Sequence, residues 1–196
     1  IPQSKNNEIG KVISIDKNGN SRLISLGHRN PQGLFVMGDM LFTTEHGPDG
    51  GDEVNIIYPN EPLKHYGWPF YSAGFNKLLG LHRFEHEGEF VPPLFTWTPA
   101  IGISELLIYK GDEFKFWENK IIVTSLKNNS LYVLTLDKKL NRVYSHERIN
   151  LGHRLRDILE LPDGKLALIT DDQYLLILSA SKKQKYKDVR SKVPFN

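Results

Sequence analysis

Four cations and one glycine-proline turn are the residues of this chain best suited to chemistry. Arg29 stands in "GHRNPQG", Lys127 in "SLKNNS", and Arg154 and Arg156 in "GHRLRD". Each is a polar stretch between apolar ones. Arg154 and Arg156 are two apart, so on a strand they point to the same side. A guanidinium can donate two parallel hydrogen bonds to a carboxylate, and cations gathered around one cavity suit an anionic ligand with several carboxylates. The competing reading is that one arginine pairs with Asp157 or Asp163 and merely pins the fold. "EHGPDGGDE" offers a different chemistry. A Gly-Pro step flanked by further glycines turns the backbone so that carbonyl oxygens project outward. Such oxygens are hard donors of the kind Ca²⁺ accepts six to eight at a time. Asp49, Asp52 and Glu53 add negative charge nearby, but the spacing is not that of an EF-hand. The same carboxylates could equally bond the backbone amides of a tight turn.

Other chemistries find little support. The histidines, His28, His46, His65, His82, His86, His146 and His153, form no HExxH pattern, which argues against zinc. Cysteine is absent, so disulfides and thiolate metal sites are excluded. No nucleophile elbow, P-loop or dinucleotide fingerprint occurs. A formal charge of +2 is too small to point to nucleic acid, and much of the excess lies in the terminal "SKKQKYKDVRSK". No apolar run reaches the length of a membrane span. Trp68, Trp97 and Trp117, with Tyr66, Phe70, Tyr71 and Phe95, read as packing, or at the rim of a cavity as a stacking surface for a planar ligand or sugar.

The elements that must position these residues are short strands. "GKVISID", "GLFVM", "MLFTTE", "EVNIIYP", "KIIVTSL", "SLYVLTLD" and "KLALITD" are β-type runs, and "DKNGN", "LKNNS" and "LPDGK" between them have turn chemistry. Three segments share one order: turn, apolar strand, threonine, polar loop, second apolar strand, with the threonines at 44, 124 and 170. Thr124 and Thr170 lie one propeller-blade period apart (roughly 40–50 residues), and Thr44 and Thr124 nearly twice that. The expectation is an all-β chain, a partial β-propeller of about four blades over residues 1–181, with a basic tail over 182–196. In a propeller the loops after the threonines and the connections entering the innermost strands meet at one mouth. That would gather Arg29, Lys127, Arg154 and Arg156 around a shared cavity. The start at Ile1, without methionine or a signal-like segment, suggests a piece of something longer.

"IGKVISIDKNGN", "GHRNPQG", "FTTEHGPDGGDEVNII", "YGWP", "PPLFTWTPAI", "TSLKNNSLYVL" and "RLRDILELPDGKLALITD" together resemble the glucose/sorbosone dehydrogenase family, from about Ile9 to about Leu178. These are soluble aldose sugar dehydrogenases that use pyrroloquinoline quinone (PQQ) and are built as six-bladed propellers. The resemblance implies that Arg29 and Asn30 contact the cofactor. It implies that the carbonyls of Gly47 and Pro48 bind Ca²⁺, and that Lys127, Arg154 and Arg156 hold the cofactor's carboxylates and carbonyls. The implied reaction oxidises the anomeric C–OH of an aldose to a lactone. Arg29 stabilises charge on the quinone oxygen, and an external acceptor takes the electrons. A periplasmic or extracellular location is implied as well.

Two departures stand against the resemblance. The family's general-base histidine belongs to an earlier blade, and none of the histidines here occupies a matching position. In "WTPAIGISELL", Ala100 stands where Ser or Thr is usual, and Ile103 where Pro is usual. A chain of this length would also expose blade edges, so missing blades or self-association are expected partners. The alternative reading is a non-catalytic propeller module that serves recognition.

Overall fold

The computed structural model describes residues 2–75 and 90–181. His82, His86 and the tail over 182–196 lie outside the described residues. The strands are β1 (Lys11–Ile15), β2 (Ser21–Leu26), β3 (Pro31–Met37), β4 (Met40–Glu45), β5 (Asp52–Ile57), β6 (Lys64–His65), β7 (Phe95–Trp97), β8 (Ile103–Ile108), β9 (Ile121–Ser125), β10 (Ser130–Leu136), β11 (Val143–Asn150), β12 (Leu155–Glu160), β13 (Leu166–Thr170) and β14 (Leu175–Leu178). They form four sheets: β1-β2-β6, β3-β4-β5-β7, β8-β9-β10-β11 and β12-β13-β14. Apart from β6, which runs parallel to β2, every pairing is antiparallel. The innermost strand β8 lies against both β3 and β12. Four sheets set side by side, three of them led by an inner strand (β3, β8 and β12), are propeller blades, as the repeat predicts. Among the described residues no helix is long and apolar enough to cross a membrane.

Side-chain alternation explains why the blades stack. In the third blade Leu106, Ile108, Ile121, Val123, Tyr132 and Leu134 face the second blade and pack with Phe42, Val54 and Trp97. The residues between them, Leu107, Ile122 and Leu131, face the fourth blade and pack with Leu155, Ile158, Leu166 and Leu168. A sheet buried on both faces has no polar face to show, so β9 opens on three consecutive apolar residues, Ile121, Ile122 and Val123. Among the described residues the fourth blade is covered on one face. Leu159, Ile169, Leu175 and Ile177, on its other face, are all more than half exposed.

The repeated threonines have a structural cause. In each of the last three blades the pairing of the first two strands is irregular near the end where the inner strand begins, between Pro31 and Gly33, Ile103 and Leu106, and Leu155 and Asp157. A bulge leaves backbone groups without ladder partners. Thr44 Oγ1 accepts from Gly33 N at 2.8 Å, and Thr124 Oγ1 accepts from Glu105 N at 2.9 Å. The hydroxyls also tie blade to blade: Thr44 donates to Ser104 O, and Ser104 Oγ donates to Leu155 O at 2.7 Å. Thr170 differs, bonding within its own hairpin to Tyr174 N at 2.9 Å.

The opposite end is closed by Tyr109, which is fully buried. Its hydroxyl donates to Gly164 O at 2.6 Å and accepts from Phe114 N at 3.1 Å, so one side chain joins the third and fourth blades. Tyr109→Phe would leave both backbone groups without that partner. The expected loss is about 1–2 kcal/mol, read as a fall of a few degrees in Tm by calorimetry.

Candidate functional site

The connections that enter the inner strands and the loops that leave the second strands lie at one end of the blades, and hydrogen bonds link them in series. His46 N donates to Asn30 O at 3.1 Å, joining the 27–30 and 46–51 loops. Asp52 carries the series to the next blade, accepting from Gly47 N at 3.2 Å through Oδ1 and from Ile101 N and Ile103 N, both at 3.0 Å, through Oδ2. Lys127 N then donates to Ile101 O at 3.0 Å. Arg154 Nη1 reaches Leu126 O at 3.4 Å, and Asp171 N donates to Arg154 O at 2.9 Å. This end is the mouth the repeat anticipates.

Burial pushes the Asp52 carboxyl up in pKa, but the bonds from His46, Ile103 and Gly47 outweigh it and hold the group below the usual carboxylate range. Ile103 matters here. A proline, expected at this position from the resemblance, has no N–H to give Asp52.

Arg29 lies at a narrow cleft shared with Glu45, His46, Gly47, Glu53, Tyr66, Trp68 and Ser72. Its guanidinium sits 5.2 Å from the centre of the Trp68 ring, a cation–π distance, and donates to His46 O at 3.0 Å. The cleft holds about 10 Å³, space for a single ion or water. Two carboxylates meet in it, because Glu45 and Glu53 are direct cross-strand partners on β4 and β5. Burial pushes the Glu53 carboxyl up to about 8, with the Glu45 charge adding to the shift. Gly47 forms the wall beside them, and a Cβ there would meet Gly50 O at 2.1 Å, so only glycine fits. Among the described residues neither the Gly47 nor the Pro48 carbonyl accepts a hydrogen bond.

Arg154 and Arg156 do share a side, as their spacing predicts, and both converge on Asp171. Arg154 reaches Oδ2 through Nε at 3.2 Å and Nη2 at 3.1 Å, and Arg156 reaches Oδ1 through Nε at 2.9 Å and Nη2 at 2.8 Å. The expected alternative partners are corrected: Asp163 binds Lys165 at 2.6 Å and Asp157 accepts from Ile158 N at 2.7 Å. The bond from Arg156, followed by that from Arg154, holds the Asp171 carboxyl below its usual pKa. Two guanidiniums on one carboxylate keep a net positive charge and fix the orientation of both forks. About half of each side chain is exposed. The Lys127 ammonium is exposed too and has no protein partner among the described residues.

Arg29 and Gly47 thus share a cleft, while Lys127 and Arg154 stand on the adjoining loops of the next two blades and Arg156 at the start of β12. No one cavity among those described contains all four cations. The site also contains residues that sequence reasoning passed over. Glu45 is buried and accepts from Arg29 N and from Asn30 N, the latter at 3.3 Å. His28 is fully buried behind it. Trp97 resolves the aromatic question toward packing, since it lies in the core edge-on to Tyr132. Trp117 stacks on Phe114 at the opposite end, whereas Trp68 and Tyr66 line the cleft. Among the described residues no group of three His, Asp or Glu side chains is arranged to hold a metal, so a cation here would rely on carbonyl oxygens and on oxygens of its ligand.

Comparison with known proteins matches residues 2–178 to the glucose/sorbosone dehydrogenase family model. Among curated proteins the chain is similar to aldose sugar dehydrogenase YliI of Escherichia coli, with 34% identity over 165 residues, which are 80% of this chain and 43% of that protein. It is also similar to quinoprotein glucose dehydrogenase B of Acinetobacter calcoaceticus, with 27% identity over 233 residues, 84% of this chain and 48% of that one. Among solved structures, the apo-form of the soluble aldose sugar dehydrogenase of Escherichia coli superposes with a TM-score of 0.67 at 31% identity. That match covers 90% of this chain and 50% of that structure. A glucose dehydrogenase crystal structure gives a TM-score of 0.71 at 31% identity, covering 91% and 51%. The chain spans about half the length of the relatives it matches.

Proposed function

Because the chain belongs to the glucose/sorbosone dehydrogenase family, we propose that it carries most of the cofactor site of a PQQ-dependent aldose dehydrogenase, which oxidises the C1 hydroxyl of a sugar to a lactone. The observation that carries this reading is the series of mouth loops presenting Arg29, Lys127 and the Arg154–Arg156 pair beside two carbonyls that accept no hydrogen bond. These donors fit the group: guanidinium forks and an ammonium suit its carboxylates, and the Gly47 and Pro48 carbonyls suit a Ca²⁺ beside it. When bound, PQQ supplies a two-electron acceptor for the hydride of the sugar C1, with an external acceptor completing turnover.

The residues of this chain bind and polarise. Lys127 and Arg156 hold the anionic edge, and Arg154 joins them while bracing the 126–127 loop. Arg29 and Asn30 contact the cofactor from the neighbouring blade, and the Arg29 guanidinium stabilises negative charge growing on an oxygen placed over the cleft. In this reading the family's proton-abstracting histidine is not among these 196 residues. Ala100 supplies no hydroxyl contact. A periplasmic or extracellular location goes with this reading.

The test is a calorimetric titration of the chain with PQQ, with and without Ca²⁺. Ca²⁺-dependent binding is expected, and Arg154→Ala should weaken it about tenfold or more. No binding under either condition would count against a cofactor site and favour a non-catalytic recognition module.

A further inference from the structure

We propose that a buried relay, Ser25–His28–Glu45, is the positioning device of the mouth, holding the Arg29–Asn30 turn in the geometry that places the Arg29 guanidinium over the cleft. Ser25 Oγ lies 2.8 Å from His28 Nε2, and His28 Nδ1 lies 3.0 Å from Glu45 Oε2. The order is that of a nucleophile, a base and an acid. Access argues against catalysis by Ser25, because Ser25 and His28 are both fully buried and neither lines the Arg29 cleft.

The purpose of the relay is visible at its other end. The second carboxylate oxygen, Glu45 Oε1, accepts two successive backbone N–H groups, those of Arg29 and Asn30. A carboxylate oxygen only accepts, so His28 donates from Nδ1 to Oε2, and the Ser25 hydroxyl meets the other ring nitrogen. His28 is itself clamped: its ring stacks on Tyr66 at 4.8 Å, and its backbone N–H donates to Gly10 O at 3.1 Å. Rotation of the Glu45 carboxylate would release both amides. With Oε2 fixed by His28, Oε1 has one orientation. Arg29 then leaves the turn directed toward Trp68 and His46 O.

The proposal rests on the reading of Arg29 and Asn30 as ligand contacts, and two readouts separate the fates of the two ideas. Amide groups bonded to a carboxylate resonate far downfield, so the Arg29 and Asn30 amide protons report the relay in the unliganded chain, and PQQ affinity reports the site. In His28→Asn the amide nitrogen can stand near the position of Nδ1 and keep the bond to Glu45. In His28→Gln it stands near Nε2 and loses it. His28→Gln is expected to move both amides upfield and to weaken PQQ binding about tenfold, while His28→Asn stays close to the parent in both. Equal behaviour of the two variants, whether parental or lost, would overturn the relay. Should the parent bind no PQQ, the function reading fails alone, and the amide shifts still decide the relay. Ser25→Ala, which cuts the far end without touching Glu45, should shift the same amides in the same direction. If His28→Gln does not fold and these amides stay unmoved in Ser25→Ala, the relay is wrong.

Discussion

Asp52→Ala is expected to lower the stability of the chain by roughly 3–5 kcal/mol, the largest loss of any single polar substitution at the mouth. Asp52 is almost fully buried, and its carboxylate is the only acceptor holding Gly47 N, Ile101 N and Ile103 N among the bonds described. Ile101 and Ile103 are as buried as Asp52, so their N–H groups lie away from bulk water. Three stranded donors at about 1–3 kcal/mol each set the scale, reduced by relaxation of the loop. Asp52→Asn keeps one oxygen for two of the donors but sets an NH₂ group against the third, and should cost about half as much. The pKa gives the sign of the pH dependence. A carboxyl held below its unfolded value contributes stability that is fully present above the ordinary carboxylate range and is lost as pH falls through the lowered value. Urea unfolding at pH 7 and again near pH 3 checks both points. The gap between parent and Asp52→Ala should be wide at pH 7 and narrower in acid. A gap below about 1 kcal/mol at pH 7 would remove Asp52 from its place as the link between blades.

Much of this architecture can be read from the residues. β9 and β10 are legible because a blade buried on both faces sets apolar residues at consecutive positions, 121–123 and 131–134, and the threonine at 44 and at 124 marks a bulge that needs a hydroxyl. β6 and β7 are not legible. They are two and three residues long, and β7 lies between "PPL" and "TPA", where proline masks any alternation. The shared side of Arg154 and Arg156 follows from their spacing, but their partner does not. Asp157 and Asp163 are nearer in sequence, whereas Asp171 comes close only because Leu155 pairs with Thr170 in the β12–β13 register. Glu45 was missed for a related reason. Its role depends on the pairing of Pro31 with Glu45, which brings the end of β4 back to the turn entering β3. Sequence thus reports what a residue shares with its own strand, and stays silent on what registers and neighbouring blades bring to it.

The Glu45–Glu53 pair follows the same logic into a pH-dependent result. Like charges directly opposite on adjacent strands repel, and here the pair is also withdrawn from water. Ala73 N, at 3.4 Å, gives Glu53 only a weak bond. Burial first, then the Glu45 charge, raises the Glu53 carboxyl to about 8. A carboxyl raised above its unfolded value favours the fold in its neutral form. That contribution is fully present below the unfolded pKa of about 4.3 and is lost as pH climbs through the folded value near 8. Glu53→Gln is neutral at every pH and keeps the shape. With chelator present, so that no cation offsets the charge, it should match the parent near pH 4.5 and exceed it by roughly 2–4 kcal/mol at pH 9. Stability curves that run parallel from pH 5 to pH 9 would mean that Glu53 ionises freely in the cleft. Curves that diverge above pH 6 would mean that, in the unliganded chain near neutrality, Arg29 overlooks one carboxylate and one neutral acid. The cleft would then carry less negative charge beside the guanidinium, leaving more of its positive field for an anionic ligand.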